Sequence, residues 1–210
     1  MDQTERIAMR CIKEMEASLD DMVLALRNGQ TIVYPTETCY GLGCDATNAV
    51  AVKRVYELKQ RPKEKSLILI VSDLSVMAPY IEVTEPLKKI GDQYWPGPLT
   101  VIVSVNTNCT LPIGVVRDDV TIAFRVSSHP LAQALCQALG RPLVSTSANL
   151  AGAPVPYTVE AILHAWPATG WQPDIVIDAG ILPARAPSTV IRLTGKNIEL
   201  VRQGDIVVDL

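Results

Sequence analysis

The amino-acid sequence predicts one α/β domain with a mixed sheet. Segments with the apolar spacing of a helix alternate with short β-branched runs over all 210 residues. Hydrophobic residues make up 48% of the chain, which at this length is enough to bury a large core. No internal repeat or low-complexity stretch interrupts the alternation. We therefore expect a single domain that includes residues 1–210.

Helices are predicted in six segments, most of them with apolar residues at steps of three and four. The first, residues 4–27, has a break near its middle and ends before Asn28-Gly29. Its first part predicts a helix over residues 4–17, appended to a domain core at about residues 18–203. In order, the predicted helices are residues 4–27, 47–59, 72–80, 84–94, 130–139 and 158–165.

Strands are predicted between these helices, where short apolar or alternating runs end at glycine, proline or polar residues. The run at residues 66–71 is continuously apolar after its first serine, which indicates burial on both faces of the sheet. A tight turn at residues 194–197 joins the last two strands. In order, the predicted strands are residues 31–34, 66–71, 99–105, 120–126, 142–144, 175–178, 188–193 and 198–201.

Two polar segments lie where a predicted helix or loop meets a predicted strand. Lys59-Gln60-Arg61-Pro62 precedes the strand at 66–71, and Ser145-Thr146-Ser147-Ala148-Asn149 follows the strand at 142–144. Open α/β sheets place ligands at such junctions. Guanidinium and ammonium donors in the first segment and a row of hydroxyls in the second suit a small molecule that carries phosphate.

Each polar segment also has a purely structural explanation. Serine and asparagine side chains in a loop commonly bond to the backbone of that loop. Basic residues at a helix C-terminus interact favourably with the helix dipole. However, residues 53–65 contain six basic side chains against two glutamates, in a chain of net charge −3. This local excess of positive charge favours an anion site.

Composition and motifs exclude several other classes of site. The acidic total charge gives no general attraction for nucleic acid or anionic membrane. Five cysteines without a Cys-x-x-Cys pair indicate neither a disulfide framework nor a zinc site. The sequence has no Gly-x-Ser-x-Gly elbow, P-loop or Gly-x-Gly-x-x-Gly, and no apolar run of membrane-spanning length. The residues by themselves indicate a cytoplasmic, anion-binding α/β domain with no membrane contact.

Six short motifs occur in order along the chain, within a resemblance to a known family that runs from about Asp20 to Arg202. They are Tyr34-Pro35-Thr36-Glu37-Thr38, Tyr40-Gly41-Leu42-Gly43, Lys59-Gln60-Arg61-Pro62, Trp95-Pro96-Gly97-Pro98-Leu99-Thr100, Ala123-Phe124-Arg125-Val126 and Ser145-Thr146-Ser147-Ala148-Asn149. Together they resemble the YrdC/TsaC family of threonylcarbamoyl-AMP synthases, which serve the N6-threonylcarbamoyladenosine modification of tRNA. The resemblance implies a twisted, open mixed sheet with flanking helices, whose concave and positively charged face holds ATP and L-threonine.

The reaction that this resemblance implies joins L-threonine, bicarbonate and ATP into threonylcarbamoyl-AMP and pyrophosphate. The threonine amine and bicarbonate form a carbamate, whose oxygen attacks the α-phosphorus of ATP. Because the substrates supply the nucleophile, the protein needs positioning and positive charge rather than a catalytic Ser, Cys or His. Mg²⁺ is expected to enter with ATP, held by phosphates and water, and no protein ligand for it is identified.

Matching the chain to the family residue by residue implies two halves of the site. Thr36, Ser145 and Ser188 match residues that contact L-threonine. Lys59 and Arg61 are the implied catalytic pair, since they place positive charge on the triphosphate. The residues that match the ATP side are Lys59, Arg61, Lys65, Thr121, Arg125, Ser147, Asn149 and Arg202.

Three positions depart from the longer members of the family. Ile70 stands where they have a histidine that contacts threonine, Val155 where they have a serine near the nucleotide, and Lys65 where they have an asparagine.

The implied partners beyond the substrates are tRNA or double-stranded RNA and the threonylcarbamoyl transferase machinery. Two alternatives stay open: a YciO-type paralogue with the same fold and another activity, and a non-enzymatic RNA-binding module.

Overall fold

The computed structural model describes residues 9–62, 65–167 and 171–209. Within these ranges helices and strands alternate, which confirms the predicted α/β class. The helices are α1 (Leu19–Arg27), α2 (Ala49–Lys59), α3 (Glu85–Tyr94), α4 (Pro130–Leu139) and α5 (Val159–Ala165). The strands are β1 (Arg10–Lys13), β2 (Ile32–Pro35), β3 (Tyr40–Gly43), β4 (Ile68–Val71), β5 (Leu99–Ser104), β6 (Thr121–Val126), β7 (Leu143–Val144), β8 (Thr146–Ser147), β9 (Ile175–Asp178), β10 (Thr189–Thr194) and β11 (Asn197–Arg202).

The described strands divide between two mixed sheets, where the sequence predicted one. The first sheet has the order β1-β9-β2-β3-β8 and the second the order β11-β10-β5-β6-β4-β7. Strands β7 and β8 belong to different sheets, although only Ser145 separates them. The chain therefore crosses from one sheet to the other inside the hydroxyl-rich segment of residues 145–149.

The helix predicted over residues 4–17 is wrong wherever the structure describes this segment. Arg10–Lys13 form β1, which pairs in parallel with β9, and Glu14–Glu16 form a single 3-10 turn. Residues 4–8 of the predicted helix lie outside the described residues. Helix α1 begins only after its N-cap Ser18. Strand pairing with β9 satisfies the backbone polar groups of this segment and outweighs its local helical spacing.

Helix α2 leads the chain into the first polar segment. The Asn48 side chain accepts hydrogen bonds from the backbone amides of Val50 at 3.0 Å and Ala51 at 3.1 Å, which caps the helix. The helix ends at Lys59, and Gln60 takes a left-handed conformation with φ of 50°. A left-handed residue is a common helix stop, and here it turns the chain towards β4.

Two apolar clusters hold the described elements together. The larger includes buried side chains of α2, α3 and the three central strands β4, β5 and β6. The smaller packs α1 and α4 against β2 and β9 through residues such as Leu26, Leu135, Ile32 and Ile175. Full burial of such a side chain contributes roughly 1.5–3 kcal/mol to the free energy of folding, so the packing of helices on the two sheets stabilises both of them.

None of the described helices has the length and apolar character needed to cross a membrane.

Candidate active site

A cavity of about 320 Å³ opens where the two sheets meet. Its size suits a small molecule, since ligand pockets usually enclose roughly 300–1,000 Å³. Strands β3 and β8 contribute walls from the first sheet, and β4, β6 and β11 from the second. The residues that line it are Thr36, Thr38, Cys39, Gly41, Arg61, Ile68, Arg125, Ser145, Thr146, Ser147, Val155, Tyr157, Arg185, Pro187, Ser188 and Arg202.

Four arginines line the cavity, and no aspartate or glutamate is among the described residues of its wall. They are Arg61, Arg125, Arg185 and Arg202. Guanidinium groups bind carboxylate and phosphate through paired hydrogen bonds and keep their charge at any physiological pH. The wall composition therefore suits a polyanionic ligand.

Arg125 is fixed from behind by a buried carboxylate. Its Nε donates to Glu37 Oε1 at 2.7 Å, and both side chains are less than a tenth exposed. The Ser127 hydroxyl donates to the other oxygen of the same carboxylate. Burial alone would raise the pKa of Glu37, but Arg125 and the Ser127 hydroxyl hold it below its ordinary value. Glu37 thus stays charged and keeps the guanidinium in one orientation at the cavity wall.

Arg202 is fixed by the segment that carries Ser188. Its Nη2 donates to the Ser188 backbone carbonyl at 2.8 Å and to the Ser188 hydroxyl at 3.0 Å. The same hydroxyl lies 2.8 Å from Thr100 Oγ1 on β5. Burial and the nearby charge of Arg125 lower the pKa of Arg202. Two arginines are therefore held close enough at the cavity to repel each other, and a bound anion would relieve that repulsion.

Arg61 is fixed at the junction of α2 and β4. Its Nε donates to the Lys65 carbonyl at 2.7 Å and its Nη2 to the Ser66 carbonyl at 3.0 Å. These bonds close the turn after Gln60 around the guanidinium. The remaining donor positions of the guanidinium are available to the cavity.

Two of the three residues predicted from the sequence to contact threonine, Thr36 and Ser145, lie beside Gly41. The Thr36 hydroxyl donates to the Cys39 carbonyl at 2.7 Å, which closes a turn between β2 and β3. A Cβ on Gly41 would lie 3.2 Å from Thr36 Cγ2 and 3.3 Å from Ser145 Oγ. A side chain at this position would therefore crowd two hydroxyl-bearing residues at once, and glycine avoids that contact.

Seven of the residues matched to the family line this one cavity, although they come from six separate parts of the chain. They are Thr36, Arg61, Arg125, Ser145, Ser147, Ser188 and Arg202. Of the three departures, Val155 lies on the wall, and Ile70 is fully buried in the smaller apolar cluster. Because Ile70 faces core residues, it offers no polar contact to a ligand. The third, Lys65, is exposed and is not among the lining residues.

Three further matched residues also lie away from the cavity wall. Thr121 is buried at the opposite end of β6 from Arg125, and its hydroxyl donates to Asp119 at 2.5 Å. Lys59 is only 1% exposed, and its ammonium points into the 147–149 segment. Asn149 is buried beside it and donates to the Ala153 carbonyl at 2.5 Å. The ligand roles of these residues stay predictions.

The sequence reasoning missed two residues of the cavity rim, Tyr157 and Arg185. They lie on irregular loops before α5 and before β10, and the Tyr157 hydroxyl donates to the Arg185 carbonyl at 3.2 Å. The Leu182 amide also donates to the Tyr157 carbonyl at 2.8 Å, so the loops brace each other. Only the glycines and prolines that mark these segments as loops could have drawn attention to them.

In the described ranges no three His, Cys, Asp or Glu side chains cluster so as to hold a metal ion.

Residues 24–204 match the family model Sua5_yciO_yrdC, described as telomere recombination. The chain is 38% identical over 194 residues to the threonylcarbamoyl-AMP synthase of Vibrio vulnificus (strain YJ016), covering 90% of this chain and all of that protein. It is 40% identical over 190 residues to the threonylcarbamoyl-AMP synthase of Aliivibrio fischeri (strain ATCC 700601 / ES114), covering 89% of this chain and 99% of the relative.

Solved structures give the same relationship. The structure of P. abyssi Sua5 complexed with L-threonine superposes with a TM-score of 0.81 at 29% identity, covering 93% of this chain and 57% of that one. This chain thus spans little more than half of the P. abyssi protein. The structure of E. coli YciO superposes with a TM-score of 0.79 at 31% identity, covering 94% of this chain and 95% of that one.

Proposed function

We propose that this chain, which belongs to the Sua5/YciO/YrdC family, is a threonylcarbamoyl-AMP synthase. The reaction consumes L-threonine, bicarbonate and ATP and supplies threonylcarbamoyl-AMP for N6-threonylcarbamoyladenosine in tRNA. Relatives of that name match nearly the full chain. The observation that carries the proposal is a cavity in which four arginines meet a cluster of hydroxyl-bearing residues.

The chemistry agrees with the residues that line the cavity. The threonine amine and bicarbonate form a carbamate and release water. A carbamate oxygen then bonds to the α-phosphorus of ATP, and the bond to pyrophosphate breaks. Cys39 lies on the wall, but burial raises the pKa of its thiol, which keeps it protonated and a poor nucleophile. The proposed reaction uses no protein nucleophile.

The proposed roles follow the two halves of the cavity. Thr36, Ser145 and Ser188 bind L-threonine, and the arginines with Ser147 bind the triphosphate. ATP would enter as its Mg²⁺ complex, with phosphates and water as the ligands of the metal. None of the described residues of the wall carries a carboxylate. Lys65, Thr121 and Asn149 keep their predicted place on the ATP side as part of this proposal.

Charge stabilisation is the main contribution that the protein makes in this reaction. Negative charge accumulates on the α-phosphate and on the departing pyrophosphate. Arg61, Arg125 and Arg202 already have fixed partners, so they need little rearrangement to meet that charge. Donors that are held in place before the reaction stabilise a transition state more than donors that must reorganise.

Turnover is expected to require ATP, L-threonine and bicarbonate together, because the carbamate must form before the α-phosphorus is attacked. Pyrophosphate release should be measured with all three substrates and with each one left out. Release should fall to background in every incomplete mixture. Release that does not depend on threonine would contradict the synthase and support a YciO-type paralogue, since the E. coli YciO structure superposes over 94% of this chain with a TM-score of 0.79.

The tRNA and double-stranded RNA contacts, the transferase partner and the cytoplasmic location also belong to this proposal. A non-enzymatic RNA-binding module would use the same arginines for phosphates of a nucleic acid. Its RNA affinity would fall steeply with salt, and no substrate mixture would release pyrophosphate. The two measurements together separate the enzyme from the binding module.

Arg185→Ala is expected to raise KM for ATP about fivefold and to change kcat little, since an exposed charge-assisted contact contributes roughly 1 kcal/mol. Arg185 is exposed at the cavity rim, whereas Arg61 is half-buried and Arg125 is buried. The effect should shrink at high salt because exposed charges are screened. Arg10→Ala on β1 is the matched control and should leave KM unchanged. An unchanged KM in Arg185→Ala would contradict the contact.

A further inference from the structure

Lys59 is the last residue of α2, and its ammonium is bonded within the 147–149 segment. Its side chain is 1% exposed, and Lys59 is not among the described residues that line the cavity. The ammonium donates to the Ser147 carbonyl at 2.5 Å, the Asn149 carbonyl at 2.7 Å and Asn149 Oδ1 at 3.2 Å. An ammonium has three donors, so these three oxygens use all of them. No donor is left for a phosphate.

The backbone of Lys59 holds the same segment from the other side. The Ala151 amide donates to the Lys59 carbonyl at 2.8 Å. Asn149 Oδ1 also accepts from the Ser147 hydroxyl at 2.6 Å. The end of α2 is therefore joined to residues 147–151 through both its side chain and its main chain. Residues 145–147, at the start of this tethered segment, line the cavity.

The surroundings of the Lys59 ammonium offer no negative partner among the described groups that act on it. Its three contacts are neutral oxygens, and the charged group that acts on it most is the guanidinium of Arg61, with the Cys39 thiol as a weaker influence. Burial, and then Arg61, lower the pKa of Lys59 to about 7. A buried cation without a counter-ion is costly, and an apolar side chain of similar length would avoid that cost. Its presence points to a role other than packing.

We propose that Lys59 is a positioning residue, which draws the carbonyls of Ser147 and Asn149 inward so that the hydroxyls of residues 145–147 face the cavity. Lys59 itself contacts neither phosphate nor the reacting atoms. The activity part of this inference rests on the proposed function. The placement of the segment does not, and hydrogen–deuterium exchange measures it independently of turnover.

The test compares Lys59→Met with Arg61→Met and with the control Lys53→Met, an exposed lysine on the same helix. Lys59→Met should lower kcat/KM for pyrophosphate release about a hundredfold, because small misplacements of positioning groups have effects of that order. Its affinity for inorganic tripolyphosphate, measured by calorimetry, should fall far less than in Arg61→Met, because the arginines keep their place and only the Ser147 contact is disturbed. Arg61→Met should lose that affinity, and Lys53→Met should change neither quantity.

Hydrogen–deuterium exchange supplies a readout that does not depend on turnover. In Lys59→Met the amides of residues 145–151 should exchange about tenfold faster, which corresponds to roughly 1.4 kcal/mol of lost local protection, while the β5-β6 amides stay unchanged. If Lys59→Met fails to fold, Asn149→Ala removes one of the three acceptors, and the amides of residues 145–151 should again exchange faster. Loss of tripolyphosphate affinity as large as in Arg61→Met, with unchanged exchange at residues 145–151, would overturn the proposal.

If the original protein releases no pyrophosphate with any substrate mixture, the proposed function fails. The exchange and tripolyphosphate measurements still decide the role of Lys59 in that case. Faster exchange with retained tripolyphosphate binding supports the positioning role whatever the reaction is. Slow exchange with lost tripolyphosphate binding makes Lys59 a direct anion ligand.

Discussion

Replacing Arg125 by alanine is expected to lower kcat/KM by about two to three orders of magnitude, the usual result of removing a fixed donor that stabilises developing charge. Arg125 lies on the cavity wall, and its Nε is held 2.7 Å from Glu37 Oε1. Arg125 is the only arginine of β6, so no neighbour on that strand can replace its guanidinium at the cavity wall. Pyrophosphate release under saturating bicarbonate would measure the loss.

The same substitution is expected to destabilise the fold, because it leaves the Glu37 carboxylate buried and unpaired. Glu37 is 8% exposed in its side chain. Breaking a buried ion pair by removing one partner commonly costs about 3–5 kcal/mol. Urea unfolding would measure this cost independently of activity.

The pH dependence of stability should change sign between the original protein and Arg125→Ala. Arg125 now holds the pKa of Glu37 below its ordinary value, so the stabilisation that Glu37 provides is present at neutral pH and is lost as pH falls through the folded pKa. Without Arg125, burial raises this pKa above its unfolded value. The variant should then be more stable near pH 5 than near pH 7.5, since that contribution is lost as pH rises.

The double variant Glu37→Gln, Arg125→Ala separates the two effects. Glutamine carries no charge, so the double variant should regain most of the stability and lose the anomalous pH dependence. Its activity should stay low, because the cation at the cavity is still missing. If activity returns together with stability, Arg125 serves the fold and its proposed role at the substrate is wrong.

The parts of the site that the sequence predicts are those with local signals. Asn48 indicates the start of α2, and the basic segment at Lys59 and Arg61 indicates its end before a buried strand. The structure confirms both, since α2 ends at Lys59 and is followed by β4. The hydroxyl-rich segment follows β7 as expected. Local composition cannot show that β7 and β8 join different sheets, because strands of two residues have no periodicity of their own.

Long-range pairings account for what the sequence could not supply. Glu37 and Arg125 are 88 positions apart, and nothing near either residue identifies the other. Residues Arg10–Lys13 form strand β1 because they pair in parallel with β9, which lies far away along the chain. A charge such as that of Lys59 is evident from the sequence, but whether it faces the cavity or the protein interior depends on the packing of α2 against residues 147–151.

Gly43→Ala is expected to reduce stability by at least about 3 kcal/mol, beyond most overpacking substitutions. A Cβ there would lie 2.3 Å from the Val144 carbonyl oxygen and 2.8 Å from Tyr34 Cε1. Val144 belongs to β7 of the second sheet and Gly43 to β3 of the first, so the methyl group would push the sheets apart. The Tyr34 hydroxyl, which donates to the same carbonyl at 3.2 Å, would lose its bond. The urea midpoint, or the yield of soluble protein, would measure the effect.

Gly41→Ala is the matched control, because it adds the same methyl group two residues earlier on the same strand. Its Cβ meets Thr36 Cγ2 at 3.2 Å and Ser145 Oγ at 3.3 Å, contacts that small side-chain shifts can relieve. The fold should therefore survive, while the added volume raises KM for L-threonine about tenfold, as one extra methyl group does in a fitted pocket. Native stability in Gly43→Ala would contradict the close approach of the two sheets. An unchanged KM in Gly41→Ala would contradict the prediction that L-threonine binds beside Thr36 and Ser145.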